Sequence, residues 1–171
     1  MKLQGKIKIN GKHYRKGDEV SGFKIYPFFL IHMGMFGFSG FYLAYAATEG
    51  DTTFLFIHGG FAILTYIIFY FAIFGKEQVK WLFINSALGL FGIYAEIDWI
   101  LSLFDKQIHD YPATRHIIPF LYYILYTFLI RQMFLDFFNA REDADRERIV
   151  NRAYVILSLV IYTALYFYQP S

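Results

Sequence analysis

Two acids, Glu96 and Asp98, stand inside an otherwise apolar run, Phe91-Gly92-Ile93-Tyr94-Ala95-Glu96-Ile97-Asp98-Trp99. A carboxyl group in such surroundings costs several kcal/mol unless it is paired, protonated or wetted. One whose burial favours the neutral form can trade a proton with histidine or water, the chemistry of proton and cation paths. On a helix, a two-residue step is a rotation of about 200°. The two carboxyls therefore face different ways, cannot form a simple acid–base dyad, and each needs its own partner. Glu96 continues a stripe of Asn85, Gly89 and Gly92, small and polar, which predicts a neighbouring helix or a cavity on that side. Asp98 lies instead with Tyr94 and Ser102.

The elements that must position these acids are apolar and long. Five stretches, at about residues 28–47, 53–74, 81–104, 117–138 and 149–168, can each cross ~30 Å of hydrocarbon at 1.5 Å per residue. With 57% hydrophobic and 22% aromatic residues, too little polar side chain remains to cover a water-facing surface, and lipid must cover it instead. The expected fold class is an all-α membrane protein, a five-helix transmembrane bundle over residues 26–171, preceded by a basic cytoplasmic segment, residues 1–25. A polar segment precedes the first stretch and nothing resembles a signal-peptide cleavage site, so the first stretch is expected to stay. Cysteine is absent, which excludes disulfide staples, thiolate metal sites and thiol nucleophiles.

Basic residues set the expected orientation, because short cytoplasmic loops carry the excess of lysine and arginine. Of the 16 such residues, all but Lys106 and Arg115 fall in the N-terminal segment, in the second loop, or between Arg131 and Arg152. Five crossings then predict a cytoplasmic N-terminus and an external C-terminus, in a plasma or inner membrane. In the N-terminal segment, Lys6-Ile7-Lys8-Ile9, Asn10-Gly11 and Lys12-His13-Tyr14 read as a β-hairpin with a two-residue type I′ turn. An isolated hairpin is marginal in water, so this one is expected to lean on the membrane surface, its own bundle or a neighbouring subunit. Pro27 and Pro119 are read as helix starts, where a missing N–H costs nothing. The alternating charges of residues 139–148 read as a solvated helical extension or turn.

Depth then groups the polar residues. Glu96 and Asp98 lie roughly 9–12 Å below the external end of the third stretch by helical rise, and His58 of the second is placed at comparable depth. Tyr122, Tyr123 and Tyr126 occupy the same layer on the fourth stretch, with Arg115 and His116 at its mouth; Ser39, Tyr42 and Tyr45 occupy it on the first. The expected site is this layer: Glu96, Asp98, His58, Tyr122, Tyr126 and His116. The plainer alternative makes Glu96 a neutral acid bonded to a helix carbonyl or to His58, and Asp98 a cap or a partner of Arg115. His58, His116, Glu96 and Asp98 are suitable metal ligands but lack a fixed ligand spacing, so no metal or other cofactor is expected. His32 is read as a packing residue toward the opposite leaflet from His58, which argues against a bis-histidine haem. Arg131 is expected to snorkel to the cytoplasmic surface or to pair with Asp136. Glycines at 34, 37 and 40, and at 59 and 60, are read as helix-packing surfaces.

No motif names a reaction: Gly-x-Ser-x-Gly, paired cysteines and paired histidines are all missing. The expected function is a small homo-oligomeric membrane protein that moves or senses a proton or small cation through the external layer. One alternative is a lipid-active enzyme using His58 with Glu96 or Asp98 as acid and base; another is an accessory subunit of a larger complex. Expected partners are the lipid bilayer, further copies of the chain, and a cytoplasmic protein contacting the N-terminal segment, with no nucleic acid.

Overall fold

The structure is a computed structural model and describes residues 1–9, 11–46 and 52–168. It is mostly helical, with one small antiparallel sheet. Strand β1 (Ile7–Ile9) pairs with β2 (Lys12–Tyr14) in the register Ile7↔Tyr14, Lys8↔His13 and Ile9↔Lys12. The alternation turns Ile7 and Ile9 inward and Lys8 outward, as a one-faced strand requires. Gly11 has φ of 79°, a left-handed value that glycine adopts freely. Asn10, on which the expected turn type depends, lies outside the described residues.

Of the three supports open to the hairpin, the bundle is one it uses. Leu3 is 1% exposed and Val20 is also buried. The Gln4 N–H donates to the Ala72 carbonyl at 3.0 Å and that of Leu3 to Asp18 at 3.0 Å. The segment is thereby tied to the last turns of the second helix.

Five long helices follow: α1 (Gly22–Tyr45), α2 (Thr52–Phe74), α4 (Trp81–Ser102), α5 (Ile117–Phe137) and α6 (Ala144–Phe167), with a four-residue helix, α3 (Lys76–Val79), between α2 and α4. Two 3-10 turns, Ile108–Asp110 and Ala113–His116, lead into α5. Four helices are long and apolar enough to cross a membrane: α1, α2, α5 with its 3-10 lead-in, and α6. Of the five spans expected, four meet this criterion. Helix α4 has 22 residues, enough in length, but Asn85, Glu96 and Asp98 make it too polar to count among them.

One helix start differs from expectation and another follows it. Helix α1 begins at Gly22, so Pro27 lies inside it rather than at its start. The proline sits on an exposed face close to the N-terminus, where the loss of one backbone bond is tolerated. Helix α6 begins at Ala144 because the Asp143 carboxylate accepts the backbone N–H groups of Asp145 and Arg146, at 3.0 and 3.1 Å. The second half of the charged stretch before the last apolar run is thus the start of α6, a helical extension.

Helix α5 is the axis of the bundle, in contact with α1, α2, α4 and α6, and ten of its residues are buried. The core on its α1 and α2 side is aromatic. Tyr70 packs against Phe128 with ring centroids 5.0 Å apart and against Phe29 at 6.0 Å. Its hydroxyl is 3.1 Å from the Leu125 carbonyl and 2.9 Å from Met33 Sδ, so this buried polar atom is satisfied. The outer surface remains apolar, with Phe23 93% and Phe83 80% exposed. A surface of that kind is covered by lipid or protein, not water.

Candidate functional site

Three sequence stripes converge on the interface of α4, α5 and α6. Residues three or four apart share a helix face. On α4 that face carries Asn85, Gly89, Gly92 and Glu96; on α5, Tyr123, Thr127 and Arg131; on α6, Asn151, Tyr154, Ser158 and Tyr162. The α4 stripe is buried as expected, down to Gly92. A Cβ at Gly92 would lie 2.5 Å from the Tyr162 ring, and one at Gly89 would lie 3.4 Å from that of Tyr123. The glycines are what let two tyrosines enter between the helices.

Those tyrosines form a polar line through an apolar bundle. The Tyr123 hydroxyl donates to that of Tyr162, and Ser158 stands beside both Tyr162 and Tyr154. The Tyr154 hydroxyl is 3.3 Å from Asn85 Oδ1 and 3.3 Å from the Thr127 carbonyl. One turn further toward the hairpin end, the Arg131 Nε donates to Asn151 Oδ1 at 2.9 Å and its Nη1 to Gln78 Oε1 at 3.0 Å. Its Nη2 is 3.5 Å from Glu147 Oε1, and its plane lies 3.8 Å from the centre of the Trp81 ring. This guanidinium is fully buried.

Arg131 therefore neither snorkels nor pairs with Asp136. Asp136 is taken by Arg141, and both join the Tyr26 hydroxyl, which also donates to the Gln132 carbonyl at 2.9 Å. Burial works against the charge on Arg141, but hydrogen bonding to Asp136 and proximity to Tyr26 outweigh it and hold its pKa above the ordinary value. The planar fork of each arginine suits several acceptors at once, and each has been given a separate set.

At the other end of the line stands Glu96. It lies within electrostatic reach of Tyr123 and Tyr162 and lines a crevice of about 230 Å³. Helices α1 and α4 form the sides of the crevice, through Gly34, Gly37 and Glu96, and α5 forms its floor, through Tyr122, Tyr123 and Tyr126. The Tyr122 hydroxyl is buried with no hydrogen-bond partner among the described residues. The Glu96 carboxyl thus stands beside a small space lined by three tyrosine side chains, a setting for a proton, a water or a small cation.

Of the six residues expected in the site, Glu96, Tyr122 and Tyr126 meet in this crevice. The other three are elsewhere. His58 lies in a different groove, between α1 and α2, stacked on Phe54 at 5.4 Å and near Phe36 at 5.4 Å. No residue of α2 lines the Glu96 crevice, so His58 and Glu96 have no shared space in which to act as acid and base. Helix rotation, which residue counting does not fix, separates them. His32 lines the same groove as His58; Phe36, which touches His58, is four residues or about 6 Å along α1 from His32. The His32 Nδ1 is 2.7 Å from the Phe28 carbonyl.

Asp98 turns, as its offset from Glu96 requires, to the connection before α5, where it accepts the Ile108 N–H at 3.0 Å. Its role there is to cap the first 3-10 turn. His116 bonds Tyr45, Nδ1 to hydroxyl, at 2.8 Å, and Arg115 is buried with its Nη1 donating to the Ala44 carbonyl at 3.2 Å. Ser39 bonds back to Phe36 at 2.8 Å. No three of the described histidines and acids converge as metal ligands.

Sequence reasoning passed over Gln78, Asn151, Ser158 and Tyr162 as members of this polar line. The spacing Asn151, Tyr154, Ser158, Tyr162 was the available signal, a polar face on an otherwise apolar helix. No family model matches this chain, and no curated protein or solved structure matches it either.

Proposed function

We propose that this protein is a proton-translocating membrane protein in which Glu96 is the exchange group and the Tyr123–Tyr162–Ser158–Tyr154 line is the conducting path. In this reading all five long helices cross the bilayer, the Asn85, Gly89 and Gly92 face of α4 being covered by α5 and α6. The hairpin end is cytoplasmic and the C-terminus external, in accord with the basic residues. The observation that carries the reading is a half-buried carboxyl group in a crevice between α1, α4 and α5, at the head of a line of hydroxyls and amides that reaches Arg131 and Glu147. Hydroxyls both donate and accept, so a proton can enter at one atom and leave from another. Arg131 sits where the line nears the hairpin end and repels a free cation there, favouring relay of a proton over passage of an alkali ion. A chain of this size encloses no wide pathway; assembly into a homo-oligomer is part of the proposal.

The test is proton flux in liposomes loaded with a pH-sensitive dye and driven by a potassium diffusion potential. Glu96→Gln keeps shape and hydrogen bonding but cannot ionise, and is expected to lower the flux at least tenfold. Tyr162→Phe removes one hydroxyl from the line and is expected to lower it severalfold. Wild-type flux equal to that of empty liposomes, or unchanged flux in Glu96→Gln, ends this assignment.

A further inference from the structure

A groove of about 510 Å³ lies where α4 and α6 begin, with Trp81, Arg148, Asn151 and Arg152 in its walls and Val155 and Ile156 continuing it along α6. Arg148 and Arg152 are one turn apart on α6 and both are exposed. Arg148 has one exposed ion pair, to Asp145 at 3.4 Å, and Arg152 has no carboxylate partner among the described residues. Directly behind the wall stands the fully buried Arg131, touching three wall residues: Trp81, Asn151 and Glu147. Its Nη2 makes no hydrogen bond among the described residues. The acid in the wall, Glu147, is engaged by Arg131 and by Gln78 at 3.4 Å. The groove therefore presents an excess of guanidinium at its mouth, and an apolar floor below.

We infer that this groove binds the headgroup of an anionic phospholipid. Two guanidiniums flank the phosphate, each able to give two parallel N–H bonds to its oxygens. Trp81 holds headgroup depth, as indole does at membrane boundaries. The acyl chains run down α6 over Val155, Ile156 and the exposed Leu159 and Val160. The volume suits a glycerophosphate headgroup, and a basic pocket between helices at the positive end of a bundle is where anionic lipid is attracted. The inference does not depend on Glu96 or on proton movement. It makes the bound lipid a fourth wall for the Arg131 cluster, so the lipid should stabilise the whole fold.

Binding is measured by native mass spectrometry and by thermal unfolding of the full chain in uncharged detergent, with phosphatidylglycerol, phosphatidylcholine or inorganic phosphate added. Phosphatidylglycerol is expected to bind and to raise the unfolding temperature, with phosphatidylcholine and inorganic phosphate doing neither. The double variant Arg148→Gln/Arg152→Gln, both at exposed positions, is expected to bind phosphatidylglycerol at least tenfold more weakly. The same charge removed from the hairpin, Lys8→Gln/Lys12→Gln, should leave binding within twofold of wild type. Equal binding of phosphatidylcholine, equal stabilisation by inorganic phosphate, an unchanged affinity in the arginine variant, or an equal loss in the lysine variant overturns the assignment.

Discussion

A guanidinium without solvent exposure holds its place through its partners, and Arg131 has three of them on two helices: the hydrogen-bond acceptors Gln78 on α3 and Asn151 on α6, and the ion-pair partner Glu147, also on α6. Removing it takes the donor from the Asn151 amide oxygen and the countercharge from the Glu147 carboxylate, which in buried settings costs about 3–5 kcal/mol. Arg131→Met, close to the same length and apolar, is expected to lose that much in reversible unfolding in mixed micelles. A loss below about 1 kcal/mol would mean that the acceptors find water and that the cluster is solvated. Arg131→Lys should recover only part of the loss, because one ammonium cannot reproduce the fork. Glu96 belongs to a different case. It has no salt bridge among the described residues, so Glu96→Gln should alter flux while leaving stability within about 1 kcal/mol of wild type.

Between helices, close approach depends on what is missing from α4. Gly92 admits the Tyr162 ring to where a Cβ would sit at 2.5 Å. Gly92→Ala must push α6 outward or turn the tyrosine, an overpacking expected to cost about 1–3 kcal/mol. Gly34 on α1 has nothing within 4 Å of the corresponding point, so Gly34→Ala should be near neutral. Thermal unfolding of the two variants side by side checks this, and equal effects would show that α6 does not rest on Gly92. The α4 stripe of Asn85, Gly89, Gly92 and Glu96 was legible as a face that needs a neighbour. The identity of that neighbour was not. The partner stripe on α6 lies far along the chain, beyond the whole of α5, and helical periodicity carries no information about which face meets which.

For the molecule as a whole, the arrangement puts the β-hairpin, α3 and the loop before α6 at one end, with the connection from α4 to α5 at the other. With the chain in a membrane and all five long helices crossing it, those ends face opposite compartments. The chain has no cysteine, so single cysteines introduced at Lys12 and at Gln107, both exposed, report each end separately. A membrane-impermeant thiol reagent applied to intact cells is expected to label position 107 and to label position 12 only after lysis. Labelling of both positions in intact cells would place α4 on the surface instead of across the bilayer and move the proposed path out of it.

Composition and apolar run length were enough by themselves to settle a helical membrane protein, because no packing choice can hide that much hydrocarbon from water. The Ile7-x-Ile9 alternation, followed by Asn10-Gly11, was enough for the small antiparallel pair, since a period of two and a two-residue turn are local properties of the chain. Helix rotation was not legible, and it decided the site. It turned His58 to the α1/α2 groove, Asp98 to the 3-10 turn before α5 and Glu96 to the tyrosines, although all three share a depth by residue count. It also set Arg131 among Gln78, Asn151 and Glu147, because a charge moved out of water takes whatever acceptors the neighbouring helices bring within reach. Only the packed helices determine what those are.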